Sequence, residues 1–411
     1  MTSFDLDVAV IGGAGRIGLP LSLLFADCGL KTLILDIDAK RIEQILEGRM
    51  PFAEEGAQPI LSKVLANSML HASTQSRDLS RCRFIVCVLG TPVDEHMNPS
   101  FDGILRALRA YREDFRHGQT VVLRSTLFPG SSARIRRFFE EAGLDIGVAF
   151  CPERVAQGVS LRECRELPQI ISAFDRETLA KARWLFSAFA SEFIELLPME
   201  AELCKLMTNS FRYVQFATVN QFYMIAQEHG VDFQRVLHGC RHNYPRMAGM
   251  PRPGMAAGPC LVKDTMQLAA FSHNSFPLGH AAMLVNEGLP AFLVAEARKD
   301  GPLSELTVGV LGLAFKAGSD DRRDSLSYKL IKLLQFVARR VLRTDPFVDD
   351  PEVVPLEKVL AEADVLFVAT PHEGYRGLRV PPGKRVYDPW SWLAKAAPAE
   401  VGSSADCSSL V

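Results

Sequence analysis

A glycine-rich loop ends in a cysteine that lies directly ahead of a sequence typical of a helix. The loop covers residues 253–264 and contains Cys260, Lys263 and Asp264. A thiol at a helix N-terminus with an ammonium group nearby favours the thiolate, which is the nucleophilic form. A lone cysteine is more often inert, and Asp264 also fits the N-cap of the following helix. The segment therefore predicts a nucleophile at Cys260, with an unreactive loop cysteine as the alternative.

Four polar residues are spaced to share one face of a long apolar helix. They follow one another at intervals of three, four and three residues, and they are Glu202, Lys205, Asn209 and Arg212. This spacing stacks side chains on one side of an α-helix. Spacing alone slightly favours a solvated helix edge, so a role for these residues beside a substrate needs support from elsewhere in the sequence.

Glycines follow the first apolar run at the spacing of a phosphate-binding turn. The turn is Gly13-x-Gly15-x-x-Gly18, between a predicted strand at residues 8–11 and a predicted helix. These glycines permit a tight turn, close approach of the backbone to a pyrophosphate and close helix packing, and the helix N-terminal amides face the phosphates. An additional glycine, Gly12, leaves the register of the turn open by one residue.

An acidic residue ends the second apolar run, which covers residues 32–35. Asp36 lies eighteen residues after Gly18, where a carboxylate accepts hydrogen bonds from the adenosine ribose hydroxyls. The same charge repels a 2′-phosphate. The strand, turn, helix and strand that end in Asp36 therefore predict a site for NAD in preference to NADP.

Strand and helix patterns alternate through the first half of the chain. Apolar runs predict further strands at residues 84–89, 120–123 and 146–150, and a helical pattern covers residues 104–116. Such alternation is typical of a parallel sheet with helices on both faces. It predicts an N-terminal Rossmann-type dinucleotide-binding domain over residues 1–197.

The pattern changes near residue 198. One long helix is predicted at residues 199–230 and more helix between residues 264 and 298, which defines a central helical region over residues 198–300. The early pattern then returns, with strands at 307–311 and 340–344, a helix at 327–338 and Asp345 at the end of the second strand. We therefore predict an α/β protein with a C-terminal Rossmann-like domain over residues 301–397 and a frayed tail at 398–411.

Composition narrows the classes of partner. The chain has 411 residues, of which 48% are hydrophobic, and its 46 basic and 48 acidic residues give a net charge of −2. Without a long run of either sign, this balance argues against a nucleic-acid partner. Apolar stretches well short of about 18 residues argue against a membrane span. Asp5 and Asp7 do not fit a signal peptide, so a cytoplasmic location is predicted.

The nine cysteines follow no recognisable framework. Their number is odd, and their spacing gives neither C-x-x-C metal ligands nor a dense secreted pattern. Most are expected to be small buried hydrophobic residues in a reducing compartment. No metal site is predicted.

Distinctive short segments occur along almost the whole chain, from the first strand to about Trp390. In chain order they are Gly18-Leu19-Pro20, Gly90-Thr91-Pro92-Val93-Asp94, Ser125-Thr126-Leu127-Phe128-Pro129-Gly130, Cys151-Pro152-Glu153-Arg154-Val155, Glu202-Leu203-Cys204-Lys205 with Asn209, residues 253–264, and Leu311-Gly312-Leu313-Ala314-Phe315-Lys316 with Asp321 and Arg323-Asp324-Ser325. Together and in this order they resemble the UDP-glucose/GDP-mannose dehydrogenase family.

The resemblance implies an NAD-dependent enzyme that acts on a UDP-sugar and forms a homodimer through its central helix. The implied catalytic residues are Cys260 as nucleophile, with Lys205, Asn209, Asp264, Glu153 and Thr126 around the reacting carbon and its water. The implied cofactor-binding residues are Gly13, Gly15, Arg16, Ile17, Gly18, Asp36, Arg41, Thr91, Pro92, Ser125 and Thr126. The implied substrate-binding residues are Glu153, Arg154, Lys205, Asn209, Arg212, Tyr244, Arg246, Gly254, Lys316 and Arg323.

The leading hypothesis is a four-electron oxidation of the C6 alcohol of a UDP-hexose to a uronate, with Cys260 carrying a thiohemiacetal and then a thioester. One alternative is a two-electron β-hydroxyacid-type dehydrogenase, which needs neither Cys260 nor the domain after Pro302. Another is a non-catalytic protein that binds NAD or a nucleotide sugar.

Several residues depart from the pattern of the family. Gly258-Pro259 precede Cys260 where relatives often have serine or histidine before the cysteine, and Leu326 follows Ser325 where proline is common. Lys263 followed by Asp264 resembles UDP-glucose enzymes more than N-acetylhexosamine enzymes. The sugar therefore stays open between glucose and N-acetylated glucosamine, mannosamine or galactosamine.

Overall fold

The fold comes from a computed structural model, which describes residues 4–91, 103–255, 258 and 260–394. The chain contains two compact units. Unit 1 consists of Met1–Thr218 and Gly258–Val285, and unit 2 consists of Val219–Ala257 and Asn286–Val411. The predicted tail at residues 398–411 lies outside the described residues.

The strands form one sheet in each unit. In the described part of unit 1 they are β1 (Leu6–Ile11), β2 (Thr32–Leu35), β3 (Leu70–Ser73), β4 (Cys82–Cys87), β5 (Thr120–Leu123), β6 (Gly147–Phe150), β7 (Gln169–Ala173) and β8 (Phe193–Glu195). In the described part of unit 2 they are β9 (Thr307–Leu311), β10 (Arg340–Thr344), β11 (Val365–Val368) and β12 (Arg385–Tyr387). The inner strands are short apolar runs, as expected where helices cover both faces of a sheet.

The helices of the described residues separate or follow these strands. They are α1 (Gly18–Asp27), α2 (Ala39–Leu46), α3 (Ala57–Ala66), α4 (Gly103–Ala110), α5 (Ser131–Glu141), α6 (Ser160–Glu166), α7 (Arg176–Phe186), α8 (Pro198–Glu228), α9 (Phe233–Arg241), α10 (Leu261–Phe271), α11 (Pro277–Lys299), α12 (Leu326–Val337) and α13 (Leu356–Glu362). Short 3₁₀ turns lie at Ser76–Arg81, Arg112–Asp114, Pro245–Met247 and Glu373–Tyr375.

The sheet of unit 1 has the strand order of a dinucleotide-binding fold. The order is β3-β2-β1-β4-β5-β6-β7-β8, and β1 to β6 are parallel. Ile11 pairs with both Leu35 and Cys87, so the carboxyl ends of β1, β2 and β4 meet at one edge. The order reverses between β1 and β4, and ligands of such sheets bind in the crevice at that reversal. The prediction of a Rossmann-type domain is confirmed.

One edge of this sheet differs from the predicted parallel arrangement. β7 pairs with β6 in the antiparallel direction, with Ala149 opposite Ala173, and β8 is parallel to β7. The connection between β6 and β7 contains the short helix α6, which buries Leu161 and Cys164 in a core shared with α1. The chain therefore enters β7 without the crossover that a parallel neighbour requires.

The long helix predicted for residues 199–230 is confirmed as α8. Within unit 1 its residues Tyr213 and Ala217 are buried against Ala282 of α11, with Leu261 of α10 packed beside them. This small apolar cluster holds the start of α10 against α8. It therefore positions the residue that precedes α10, Cys260.

Unit 2 is built on a four-stranded parallel sheet in the order β10-β9-β11-β12. The bounds predicted for β9 and β10 are confirmed. Its core joins Leu293 of α11, Val308 and Val310 of β9, and Leu330 of α12. The strands and helices reproduce part of a nucleotide-binding fold, as the weaker second pattern in the sequence predicted.

By length and composition alone, α11 is able to span a membrane. Its residues Leu289, Leu293 and Ala297 are buried in the core of unit 2, and Ala282 is buried in unit 1. These are the contacts of a core helix.

Candidate active site

The glycine turn between β1 and α1 leaves no room for side chains at the closest points. A Cβ at Gly18 would lie 2.2 Å from the Gly12 carbonyl oxygen, and a Cβ at Gly13 would lie 2.6 Å from the Val10 carbonyl oxygen. A Cβ at Gly15 would meet only the Gly12 oxygen, at 3.2 Å, so Gly15 is open on its other side. The turn thus fits the pyrophosphate of NAD beside Gly15, with the α1 N-terminus behind it. Gly12 has a φ of +78°, so the extra glycine also occupies a turn position that favours glycine.

Asp36 follows β2 and borders the glycine turn. Its Oδ2 accepts the amide of Ala14 at 3.0 Å, and its Oδ1 accepts the amide of Asp38 at 3.1 Å. The carboxylate is half-buried, and each oxygen retains a lone pair for a ribose hydroxyl. Three other implied cofactor-binding residues lie nearby in sequence: Ile17 precedes α1 as its N-cap residue, Arg16 stacks over Phe52, and Arg41 is exposed beside Asp38.

Asp36→Ala is expected to lower NAD affinity by about tenfold or more, because the ribose loses a charge-assisted acceptor. The preference for NAD over NADP should narrow as well, since the 2′-phosphate loses a repulsive neighbour. Titration of both cofactors checks this, with Glu43→Ala, an exposed acid on α2, as the control. Unchanged NAD affinity would place the adenosine site elsewhere.

The loops after β4 and β5 carry four of the implied cofactor-binding residues, Thr91, Pro92, Ser125 and Thr126. Thr91 and Thr126 line one cavity, together with residues of α4, α5 and α10. Ser125 is buried, and its hydroxyl donates to the Cys87 carbonyl at 3.3 Å, which ties the start of one loop to the end of β4. Pro92 lies outside the described residues.

Glu202 belongs to the predicted polar stripe but does not point toward the same partners as the rest. Its carboxylate is 1% exposed and accepts the amides of Gly130 at 2.6 Å and Ser132 at 2.8 Å. Burial raises the pKa of this carboxyl, an effect that the backbone hydrogen bonds oppose. Glu202 therefore fastens α8 to the start of α5, which follows the loop of Thr126.

The buried pair Asn209 and Asp264 joins α8 to α10. Asn209 Nδ2 donates to Asp264 Oδ2 at 2.6 Å, and the two residues are 5% and 0% exposed. The interpretation of this stripe as a solvated edge is therefore wrong for Asn209. On the other side, Lys263 Nζ lies 3.6 Å from Asp264 Oδ1 and donates to Thr91 Oγ1 at 3.1 Å. Lys263 thus forms an ion pair with Asp264, whereas the sequence analysis considered this lysine only as a neighbour of Cys260.

Cys260 is the N-cap residue of α10, and its carbonyl accepts the amide of Asp264 at 2.9 Å. Asp264 lies inside the first turn, so the alternative that it caps this helix is wrong. The Cys260 side chain is exposed and forms no disulfide. Lys205 is half-buried one helical turn before Asn209, and Arg212 is exposed one turn after it. The structure thus brings Asn209 and Asp264 together at the start of the helix that Cys260 precedes.

Glu153 is held in place by a buried arginine. Arg124 is 2% exposed; its guanidinium forms an ion pair with Glu153 and donates to Gln169 Oε1 at 3.0 Å. The other carboxylate oxygen of Glu153 accepts the amides of Arg154 at 2.7 Å and Val155 at 2.9 Å. Both carboxylate oxygens of Glu153 are therefore held in position. Sequence reasoning missed Arg124, although a lone arginine directly after the apolar run of β5 is a usable signal.

Unit 2 contains all but one of the remaining residues that the resemblance implies for substrate binding. Gly254 exchanges two hydrogen bonds with the buried side chain of Asn220, at 2.8 and 3.0 Å, and has a φ of +151°. A Cβ at Gly254 would lie 2.3 Å from the Trp390 ring, so this position requires glycine. The other residues are more accessible: Tyr244 and Arg246 are exposed, Lys316 is half-buried, Arg323 pairs with Asp321, and in unit 1 Arg154 donates to the Pro168 carbonyl.

Asp345 ends the second strand of its sheet, as Asp36 does in unit 1, but it is used differently. Its carboxylate accepts the amides of Leu313 and Ala314 at 2.6 and 3.1 Å and contacts His372 Nε2 at 2.9 Å. Burial opposes ionisation, but the hydrogen bonds from His372 and from the backbone amides lower the pKa of Asp345 to about 2. His372 Nδ1 accepts the amide of Gly318 at 3.2 Å. Asp345 thus orders the loop that carries Lys316 instead of facing a ribose.

Comparison with known proteins agrees with this arrangement. Models of the UDP-glucose/GDP-mannose dehydrogenase family match residues 6–190 with the NAD-binding domain, 199–288 with the central domain and 309–394 with the UDP-binding domain. The chain belongs to this family. It is therefore an NAD-dependent oxidoreductase, and the resemblance stated from the sequence is confirmed.

Individual relatives share almost the full length of the chain. A UDP-N-acetyl-D-mannosamine dehydrogenase of Pyrococcus horikoshii is 32% identical over 384 residues, which are 90% of each protein. An NDP-N-acetyl-D-galactosaminuronic acid dehydrogenase of Ralstonia nicotianae is 27% identical, covering 92% of this chain and 94% of the relative.

Solved structures of related enzymes have folds similar to that of this chain. The UDP-D-ManNAc dehydrogenase of Pyrococcus horikoshii has a TM-score of 0.87 at 29% identity, over 93% of this chain and 95% of its own. A UDP-glucose dehydrogenase of Pyrobaculum islandicum has a TM-score of 0.86 at 25% identity, over 94% of each chain. The predicted α/β architecture is thus confirmed across almost the whole chain.

Proposed function

We propose that this protein oxidises the C6 alcohol of a UDP-hexose to a carboxylate in two successive two-electron steps. The observation that carries the proposal is the hydrogen bond between Asn209 and Asp264. It joins the helix of Lys205 to the helix that begins beside Cys260, which supplies polar groups and a nucleophile at one place.

The residues of unit 1 are suited to the first oxidation. The C6 hydroxyl must lose a proton while its carbon loses a hydride, and bound NAD supplies the hydride acceptor in both steps. We assign Lys205 and Asn209 to stabilising the negative charge that develops on the C6 oxygen. Asp264 Oδ1 is buried, lies 3.6 Å from the Lys263 ammonium and accepts no hydrogen bond within the described residues, so we assign it to hold a water that takes up the proton.

The second oxidation requires a covalent adduct, because a free aldehyde carbonyl has no oxyanion to drive hydride loss. The Cys260 thiolate adds to the aldehyde carbon and forms a thiohemiacetal, and loss of hydride leaves a thioester. Water then attacks the carbonyl and the carbon–sulfur bond breaks, which releases the uronate and the thiolate. In total, one alcohol, two NAD and one water give one carboxylate, two NADH and three protons. Glu153 and Thr126 are assigned to the surroundings of this water.

The remaining assignments stay proposals of the same kind. Gly13, Gly15, Arg16, Ile17, Gly18, Asp36, Arg41, Thr91, Pro92 and Ser125 are assigned to NAD, and Arg154, Arg212, Tyr244, Arg246, Gly254, Lys316 and Arg323 to the UDP-sugar. A three-part organisation with boundaries near residues 197 and 300 also stays a proposal, as does a cytoplasmic location.

N-acetylmannosamine is the sugar that we propose first. The relatives named above act on N-acetylated sugars, and the sequence argument for UDP-glucose rests only on Lys263 and Asp264. UDP-glucose is the second candidate, because one of the similar structures is a UDP-glucose dehydrogenase.

NADH absorbance with a panel of UDP-sugars tests the proposed function. UDP-N-acetylmannosamine is expected to give the highest kcat/KM, with UDP-glucose as the comparison. No NADH with any UDP-hexose would favour a non-catalytic nucleotide-sugar-binding protein. Activity on a small β-hydroxyacid alone would favour the two-electron dehydrogenase.

We also propose a homodimer formed through α8. Four large apolar residues are exposed along one side of this helix: Met207 by 52%, Phe211 by 64%, Phe222 by 45% and Ile225 by 46%. Their spacing of four, eleven and three residues keeps them on one face. An exposed apolar stripe over about 27 Å of helix, at 1.5 Å per residue, fits a second copy of the same helix.

Phe211→Glu is expected to convert the dimer to a monomer, because it places a charge within the apolar stripe that the dimer would bury. Light scattering after size-exclusion chromatography measures the mass. Phe336→Glu is the control, since Phe336 is 90% exposed on α12 and lies outside the stripe. A wild-type monomer, or a dimer that survives Phe211→Glu, would contradict this assembly.

A further inference from the structure

A buried glutamine of α10 lines the cavity at the loops after β4 and β5. Gln267 is 1% exposed, and its Oε1 has no hydrogen-bond partner among the described residues. The cavity is also lined by Thr91 and Thr126, with Phe128 and Ile135 among its apolar walls. A buried amide oxygen without a donor is costly and calls for an explanation, such as a ligand that supplies the donor.

The position of Gln267 on α10 relates it to the reacting carbon. Cys260, Asp264 and Gln267 are spaced by four and three residues, so they follow one face at the start of this helix. In the proposed function, on which this step rests, the carbon that bonds to Cys260 passes its hydride to the nicotinamide ring. The ring must therefore bind close to this face of α10.

The strand order of the sheet is a second, separate reason to place the nicotinamide ring at this cavity. A dinucleotide crosses the sheet at the reversal between β1 and β4, with one mononucleotide half on each side. Asp36 lies on the β1-β2-β3 side, which is the adenosine side. The nicotinamide half then falls on the side of β4 and β5, where Thr91 and Thr126 border the cavity with Gln267.

We propose that Gln267 binds the carboxamide of the nicotinamide ring. The two amide groups pair side by side: Oε1 accepts from the carboxamide NH₂, and Nε2 donates to the carboxamide oxygen. This pairing fixes the rotation of the ring about its bond to the ribose. It thereby sets the ring face that is turned toward Cys260, and Gln267 is a positioning residue for hydride transfer. The proposal concerns NAD binding and does not depend on the identity of the sugar.

Binding of cofactor analogues to the wild-type enzyme gives the first test. The 3-acetylpyridine analogue of NAD keeps the carbonyl oxygen but has a methyl group in place of NH₂, so it cannot supply the donor for Oε1. We expect it to bind about threefold to tenfold more weakly than NAD, the effect of one hydrogen bond. Equal affinity for the two dinucleotides, measured by calorimetry without sugar, would overturn the proposal.

Gln267→Met gives the second test, because methionine has a similar shape and no amide. The variant is expected to lose about threefold to tenfold in NAD affinity and to bind NAD and the acetylpyridine analogue equally. Its affinity for ADP-ribose, which lacks the nicotinamide ring, should match the wild type. Met266→Leu, at the buried neighbouring position, is the control.

The outcomes separate this proposal from the proposed function. If Gln267→Met still binds NAD more tightly than the acetylpyridine analogue, another group binds the carboxamide and the proposal is overturned. If the variant fails to fold, equal affinity of the wild type for NAD and the acetylpyridine analogue would still overturn the proposal. A failed uronate assay would leave these binding results unaffected, since no sugar is present in them.

Discussion

Cys260→Ala is expected to lower formation of the UDP-uronate by about a thousandfold or more, while NAD binding persists. The second oxidation needs a tetrahedral carbon that carries an oxyanion, and in our proposal only the Cys260 thiolate makes that adduct. Any remaining activity should therefore stop at the aldehyde. Because Cys260 is exposed at the N-terminus of α10, its replacement by alanine opens no cavity in the core.

Stoichiometry measures this effect directly. With limiting UDP-sugar and excess NAD, the wild type should form two NADH per sugar and one uronate. Cys260→Ser should slow after the second hydride transfer, because an ester hydrolyses less readily than a thioester. Cys28→Ala, at another exposed cysteine, is the matched control, because it leaves Cys260 in place. One NADH per sugar from the wild type, or full uronate formation by Cys260→Ala, would contradict the four-electron mechanism.

The sequence predicted those parts of the site that are formed by residues close together in the chain. The glycine turn and Asp36 depend on the local order of a strand, a turn, a helix and a second strand, which periodicity reveals. The same reasoning predicted the bounds of β9 and β10. It missed β3, β8 and β12, which are short and partly exposed and so lack a clear apolar run. It also missed β7 and β11, although both are buried.

The contacts that complete the site join residues far apart in the chain. Asn209 and Asp264 are separated by 55 positions, and only the family resemblance named them together. Spacing grouped Glu202 with Lys205, but a shared helix face does not fix the partner of each side chain. Glu202 meets the start of α5 because a different element packs against that turn of α8.

Asp345, the acidic residue after β10, also shows that local sequence does not determine the partner of a side chain. Asp36 and Asp345 each follow the second strand of their sheet, and the sequence pattern alone does not distinguish their environments. Asp345 is buried and paired with His372, a residue after β11 that no local pattern connects to it. The difference between a ligand-binding acid and a loop-ordering acid therefore depends on tertiary contacts, not on strand periodicity.

Lys205→Met is expected to lower kcat by about a hundredfold to a thousandfold, with NAD affinity unchanged. Methionine preserves most of the apolar stem and removes only the ammonium group, so the packing of α8 is maintained. Lys205 has no ion-pair partner within the described part of the chain, and its loss leaves no unpaired carboxylate there. The expected effect is thus on charge that develops on the C6 oxygen.

Steady-state kinetics and cofactor titration separate the two roles of this lysine. A stabiliser of the developing alkoxide lowers kcat and kcat/KM together, whereas a group that only holds the bound sugar raises KM alone. Small primary amines added to Lys205→Ala should restore part of the rate, because they return a cation to the vacated position. Lys332→Met, an exposed lysine on α12, is the control. Near-wild-type turnover of Lys205→Met, together with no response of Lys205→Ala to amines, would show that Lys205 is only part of the solvated edge of its helix.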